Sequence, residues 1–256
     1  MRMALVAAAA GLLGVANAAH AEGMTFSARV GPTLGMYQSD SSFTLTATPT
    51  GTGGAEGSET FNSDDSWENA YGAQLGFSAG MQNFFGDVAI EYLAVDSDAD
   101  LDRTDILLTG GYLIGQHWSA FAGYRKGMQG SGAFDDGTFN ESGFFVGGGV
   151  GGVEMGPLLF GSSLAYNFSQ AKDFPFDGDE FDYGGLSFKV SISPKSMPQH
   201  SLQLRYQRFS GDEQPNTLIA VLDNDADGTN DTEIRLSDIE LTESYVQLTY
   251  SYAFVF

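Results

Sequence analysis

Residues Glu243–Phe256 read ESYVQLTYSYAFVF. Counting back by twos from the last residue gives Phe256, Phe254, Tyr252, Tyr250, Leu248 and Val246, an unbroken apolar and aromatic file. The other parity runs Val255, Ala253, Ser251, Thr249, Gln247 and Tyr245, which is mostly small or polar. Successive side chains of a strand point to opposite faces, so this segment has one greasy face and one mild one. An amphipathic strand left as an open edge is a hazard unless closure hides it. The stretch therefore predicts a partner earlier in the chain and a sheet that closes.

Working outward, the same alternation recurs throughout. Met24, Phe26, Ala28, Val30, Leu34 and Met36 share one parity against Thr25, Ser27, Arg29 and Thr33. Tyr71, Ala73, Leu75, Phe77, Ala79 and Met81 oppose Gly72, Gln74, Gly76 and Ser78. Leu186, Phe188, Val190 and Ile192 oppose Ser187, Lys189, Ser191 and Ser193, and Leu202, Leu204 and Tyr206 oppose Gln203, Arg205 and Gln207. These runs exceed the usual strand of about five or six residues. They suit the roughly nine to eleven residues that a tilted strand needs to cross a bilayer.

The pattern predicts an all-β chain: a closed antiparallel up-and-down transmembrane β-barrel of about ten strands, with eight or twelve as the alternatives. Short turns (Gln82–Phe84, Gly115–His117, Gly156–Pro157, Ser193–Pro198) alternate with long polar inserts such as 39–67, 96–102, 127–140, 171–182 and 210–241. That asymmetry is itself a barrel signature. The terminal file is expected to close against Met24–Met36 and to have the strand of Leu202 and Leu204 on its other side.

Charge follows the same division. The chain has 11 Lys+Arg against 33 Asp+Glu, a formal net charge of -22, which argues against a nucleic-acid partner. Most of the acids fall in or immediately beside the long inserts, leaving Glu22, Asp87, Glu91, Asp105 and Glu154 away from them. The apolar parities are almost free of charge, as expected where an Arg or Lys facing lipid costs about 2–4 kcal/mol. By contrast Arg29, Glu91, Arg125, Lys189 and Arg205 fall on the polar parity of their strands. In a narrow barrel these mixed charges are expected to pair across the lumen and plug it, since an unpaired interior charge is costly. A soluble sandwich would instead put the apolar parity inside.

The N-terminus is a separate object. Arg2, the apolar run Ala4–Ala16 and the pattern Ala19-His20-Ala21 predict a signal peptide over residues 1–21, leaving 22–256 as one barrel domain. The run is too short to span a membrane comfortably. The chain contains no Cys, so no disulfide is available to the exported form.

With its signal peptide, its strand–turn–strand–loop rhythm over Glu22–Phe256 and its ending Tyr250, Tyr252, Phe254, Phe256, the chain resembles the small outer-membrane β-barrels of Gram-negative bacteria, in the broad outer-membrane-protein-A-like and porin-like group. The resemblance implies that this alternating aromatic ending is the sorting signal read by the barrel-assembly machinery. It implies an exported monomer surrounded by outer-membrane lipid and lipopolysaccharide. It does not choose an activity, because the group includes anchors, adhesins, narrow pores and a few enzymes.

Asp223, Asp225, Asp227, Thr229 and Asp231 match the start of an oxygen-ligand calcium loop, with Gly228 at the bend. The twelfth position is Ile234 where such a loop wants a bidentate Glu, so a weak extracellular Ca²⁺ loop and a solvated acidic loop held by Asx-turns stand side by side. Asp96, Asp98, Asp100 and Asp102 are read as a solvated face. The run Gly147–Gly152 lacks the strand–turn–helix context of a phosphate loop. Once His20 leaves with the signal, only His117 and His200 remain, both at predicted periplasmic turns, so nucleophilic catalysis has no visible base.

The reading from sequence is a non-enzymatic outer-membrane barrel with acidic extracellular loops and a charge-filled lumen, serving structurally or at the cell surface without a cofactor. The alternatives are a narrow diffusion pore, and a calcium-dependent adhesin or loop-borne enzyme.

Overall fold

The computed structural model describes residues 24–50, 56–64, 66–96, 102–130, 139–172, 180–213, 217–222 and 232–256. The predicted signal peptide and the Asp223–Asp231 motif lie outside them. The described chain forms β1 (Met24–Pro49), β2 (Gly57–Asp64), β3 (Glu68–Met81), β4 (Phe84–Val95), β5 (Arg103–Ile114) and β6 (Trp118–Gln129). It continues as β7 (Phe139–Met155), β8 (Leu158–Lys172), β9 (Glu180–Pro194), β10 (His200–Glu213), β11 (Thr217–Leu222) and β12 (Thr232–Val255).

All twelve belong to one sheet in which β1 also pairs with β12 and closes the ring. Ser27 faces Val255 and Met36 faces Val246, so the terminal file meets the first strand as the alternation predicts. On its other side Leu202 faces Tyr250 and Leu204 faces Leu248. Only ten strands make the ring. On one edge β1 pairs with β3 from Met24 to Tyr37 and then with β2 from Asp40 to Ala47. Likewise β12 pairs with β10 up to Ile239 and with β11 beyond it. A four-stranded sheet, β2-β1-β12-β11, thus stands out from the long-loop end of a ten-stranded barrel.

This corrects the boundaries of the first and last inserts. Residues 39–49 and 232–241 continue β1 and β12 as paired strands. Their backbone pairing satisfies the amide groups there without help from lipid.

Burial decides between membrane barrel and soluble sandwich. Inside lie Arg29, Gln74, Arg125, Gln203, Gln207 and Ser251; outside and exposed lie Leu34, Tyr71, Leu75, Phe168, Leu204 and Phe254. A water-soluble sandwich requires the reverse, and an exposed apolar surface that girdles a whole molecule needs lipid to cover it. At the short-turn end Phe84 packs edge-on against Tyr112 at 5.0 Å, and Trp118 and Tyr250 lie exposed on the same surface. Such aromatic girdles mark the membrane–water boundary.

Inward glycines make space for the interior. A Cβ at Gly76 would strike the Arg29 guanidinium, and one at Gly127 would strike Arg103 and Glu141. Gly111, Gly123 and Gly147 are occupied in the same way by the rings of Phe85, Phe145 and Phe121. The glycines that thin the strand signal in sequence are therefore sockets for the plug.

Candidate functional site

The barrel interior is filled in layers. Nearest the short turns, Phe85, Leu113, Phe121 and Phe145 form an apolar cluster, with Phe121 edge-on to Phe145 at 6.4 Å.

Above it sits the first ionic layer. Arg29 from β1 holds Asp87 from β4 with two hydrogen bonds, at 2.5 Å from Nη1 and 2.8 Å from Nη2, and Nη1 also donates to Ser78 at 3.1 Å. Two parallel N–H···O bonds fix both groups in direction as well as charge. Arg205 reaches from β10 across the lumen to Glu91 on β4 and donates from Nε to Gln247 at 2.7 Å. Lys189 on β9 lines the same space as these four.

The second ionic layer is denser. Arg103 donates to Asp105 at 3.0 Å, to Glu243 at 3.1 Å and to Tyr245 at 2.5 Å, and it also pairs with Glu141. Arg125 contacts Asp105 at 3.1 Å and Glu141 at 3.0 Å through the same nitrogen. Glu243 is the acceptor on which this layer converges: Tyr37 donates to it at 2.7 Å, Tyr245 at 3.0 Å, and Tyr183 also donates. Gln129 then donates to Tyr37 at 2.9 Å. An apolar cap of Ala70, Leu93, Val95, Phe209 and Leu241 packs with those tyrosines toward the loops.

The five lumen residues singled out in sequence all lie on the inner face, and four of them are in ion pairs: Arg29, Glu91, Arg125 and Arg205. Lys189 joins them around a shared cavity. Sequence reasoning missed the partners. Glu141 and Glu243 border the inserts and were counted with their acids, yet each side chain is 1% exposed. Arg103 and Asp105 are the other half of that omission, and the signal for all four was parity extended two or three residues past the apolar file. Asp87 sits on the same inner parity as Glu91, four residues earlier on β4 with Ala89 between them on that face.

Other candidates are placed as follows. Of the acidic run 96–102, Asp98 and Asp100 lie outside the described residues, while Asp102 accepts hydrogen bonds from Tyr92 at 2.6 Å and from the Val95 amide at 3.0 Å, which ties the residue before β5 to β4. His117 contacts the Gly151 carbonyl at 3.0 Å, and His200 contacts the Tyr250 hydroxyl at 2.6 Å. Both lie at short turns. Of the terminal aromatics, Tyr250, Phe254 and Phe256 are exposed on the outer face; Tyr252 is part-covered by the His200 ring at 5.0 Å. The Phe256 amide donates to the Phe26 carbonyl at 3.0 Å, seating the chain end on β1.

Up-and-down antiparallel strands closed into a ring, an apolar outside and a charged inside define an outer-membrane-type β-barrel. No protein-family model matches the chain, and no curated protein sequence matches it. Among solved structures, the outer-membrane protease OmpT of Escherichia coli is similar at a TM-score of 0.41 with 12% identity, covering 92% of this chain and 100% of that one. The COG4313 outer-membrane channel of Pseudomonas putida F1 is similar at 0.36 with 11% identity, over 88% of this chain and 96% of that one. The outer-membrane protein OprG of Pseudomonas aeruginosa is similar at 0.32 with 12% identity, over 92% and 98%.

Proposed function

We propose that this chain works at the surface of a Gram-negative outer membrane, with the barrel as a sealed, non-enzymatic anchor and the long-loop side carrying the role. The observation that carries this reading is the filled lumen. Two ionic layers lie between an aromatic floor and a tyrosine cap, and the cavity left between them measures about 60 Å³. A water needs about 10–15 Å³ of such space, so a few waters fit and a nutrient does not. Anchoring also suits the protruding β2-β1-β12-β11 sheet, which extends beyond the ten-stranded ring on the side away from the short turns. The terminal aromatic file Tyr250, Tyr252, Phe254 and Phe256 is, in this reading, what the barrel-assembly machinery engages, and lipid and lipopolysaccharide are the barrel's surroundings.

Because the chain has no Cys, single cysteines report sidedness cleanly. Ser58→Cys on β2 is expected to react with a membrane-impermeant maleimide on intact cells. Ser196→Cys, in the turn before β10, is expected to react only after the outer membrane is permeabilised. Labelling in the opposite order, or Ser58→Cys that is protected until cells are broken, overturns the proposed surface role.

A further inference from the structure

Among the described residues the two ionic layers hold five basic and five acidic groups, but they are not evenly spread. The loop-side layer sets Arg103 and Arg125 against Asp105, Glu141 and Glu243. The short-turn-side layer sets Arg29, Lys189 and Arg205 against Asp87 and Glu91. The surplus carboxylate of the upper layer is accommodated by neutral donors, since three tyrosine hydroxyls converge on Glu243. The surplus cation of the lower layer has no such counterpart. Asp87 is taken by Arg29 and Ser78, and Glu91 by Arg205, so no carboxylate of that layer is left for Lys189.

Arg125 borders the same cavity from above. Its Nη2 serves Asp105 and Glu141, while its Nε and Nη1 are buried and have no hydrogen-bond partner. One face of its guanidinium stacks on the Phe209 ring at 4.3 Å, which leaves those in-plane N–H groups unanswered. Buried donors without an acceptor are costly, and so is an ammonium that faces an interior cavity with no carboxylate of its own. Water can accept from the donors but cannot offset the charge.

We infer that the cavity between Lys189 and Arg125 is a binding site for a small inorganic monoanion, a halide in chemical class. The charge surplus is one, which matches a monoanion. The flanking carboxylates of Asp87 and Glu91 repel a dianion such as hydrogen phosphate. The cavity of about 60 Å³ admits a halide with a few waters and excludes larger organic acids. The ion would complete the plug by giving the lower layer the acceptor that the tyrosines' carboxylate partner gives the upper one.

The test uses the full-length refolded barrel in detergent. Anomalous diffraction from crystals grown in bromide is expected to show a peak in the lumen within contact of Lys189 Nζ and Arg125. At constant ionic strength the unfolding midpoint is expected to rise saturably when gluconate is replaced by bromide. Both the peak and the rise are lost in Lys189→Met, with Lys189→Gln used if that variant does not refold, and both persist in Lys195→Met, whose lysine pairs with Glu154 outside the lumen. Equal midpoints in bromide and gluconate, an empty cavity, or a peak that survives loss of Lys189 contradicts the site.

Discussion

Glu243 and Arg103 meet inside the barrel at 3.1 Å although 140 residues separate them in the chain. Glu243 opens the stretch whose alternation betrays the barrel, and Arg103 begins β5, on the opposite wall. Their contact is the most direct sign that the lumen is built to be filled.

Removing one partner of a buried pair leaves the other charge uncompensated, which costs about 3–5 kcal/mol. Glu243→Ala is therefore expected to destabilise the folded barrel by that order, with Glu243→Gln milder because it still accepts from Tyr37 and Tyr245. Urea unfolding followed by the heat-modifiable gel shift measures both. Unchanged midpoints in both variants would remove Glu243 from the centre of the layer.

The coupling itself is separable. A double-mutant cycle of Arg103→Met and Glu243→Gln should return an interaction energy of about 0.5–3 kcal/mol, the range for residues in one network. Strict additivity of the two changes would mean that the ion pair contributes only through its neighbours.

Glycine positions give a contrast of inside against outside. Gly76→Val drives a side chain into the Arg29 guanidinium and Gly127→Val into Arg103 and Glu141, an overpacking worth about 1–3 kcal/mol. Gly110 faces outward with open space where a Cβ would be, so Gly110→Val should change stability by no more than about 0.5 kcal/mol. Equal losses at all three positions would contradict the socket account.

The lipid face predicts a further cost. Leu204 is half exposed on β10 and pairs with Val190 and Leu248. Leu204→Arg is expected to cost about 2–4 kcal/mol in vesicles if that site lies near the bilayer midplane. The neighbouring Gln203 faces the lumen, and Gln203→Asn there should cost less. If Leu204→Arg folds as well as the parent in vesicles, the outer face is not facing lipid at that height.

What the sequence made legible follows from where lipid is. Between Met24 and Tyr37, or Tyr245 and Val255, one face meets hydrocarbon and the other a polar lumen, so the alternation is sharp and closure could be read from it. Beyond Tyr37 and before Glu243 no lipid-facing file continues, and the buried apolar residues of β12 there, Leu236, Ile239 and Leu241, do not keep a two-residue period. Ser39-Asp40-Ser41-Ser42 and Ser237-Asp238 then carry no two-residue hydrophobic signal, and paired strands looked like loop. The same blindness hid Glu141 and Glu243, whose acidity resembled that of the inserts around them. Lys189 and Arg205 were visible because apolar neighbours bracket them on both sides. Partner choice was not visible: Arg29 with Asp87, or Arg205 with Glu91, depends on curvature that brings β10 across to β4, and no local pattern encodes that.

The central claim is that the barrel is closed to solutes, and single-channel recording in planar bilayers tests it most directly. Refolded full-length protein is expected to insert and give no reproducible conductance steps, whereas Arg205→Ala with Glu91→Ala, which removes the cross-lumen ion pair of the lower layer, should show more frequent current fluctuations than the parent. Uniform, reproducible steps from the unmodified protein would contradict the sealed lumen and make the polar cavity part of a pore.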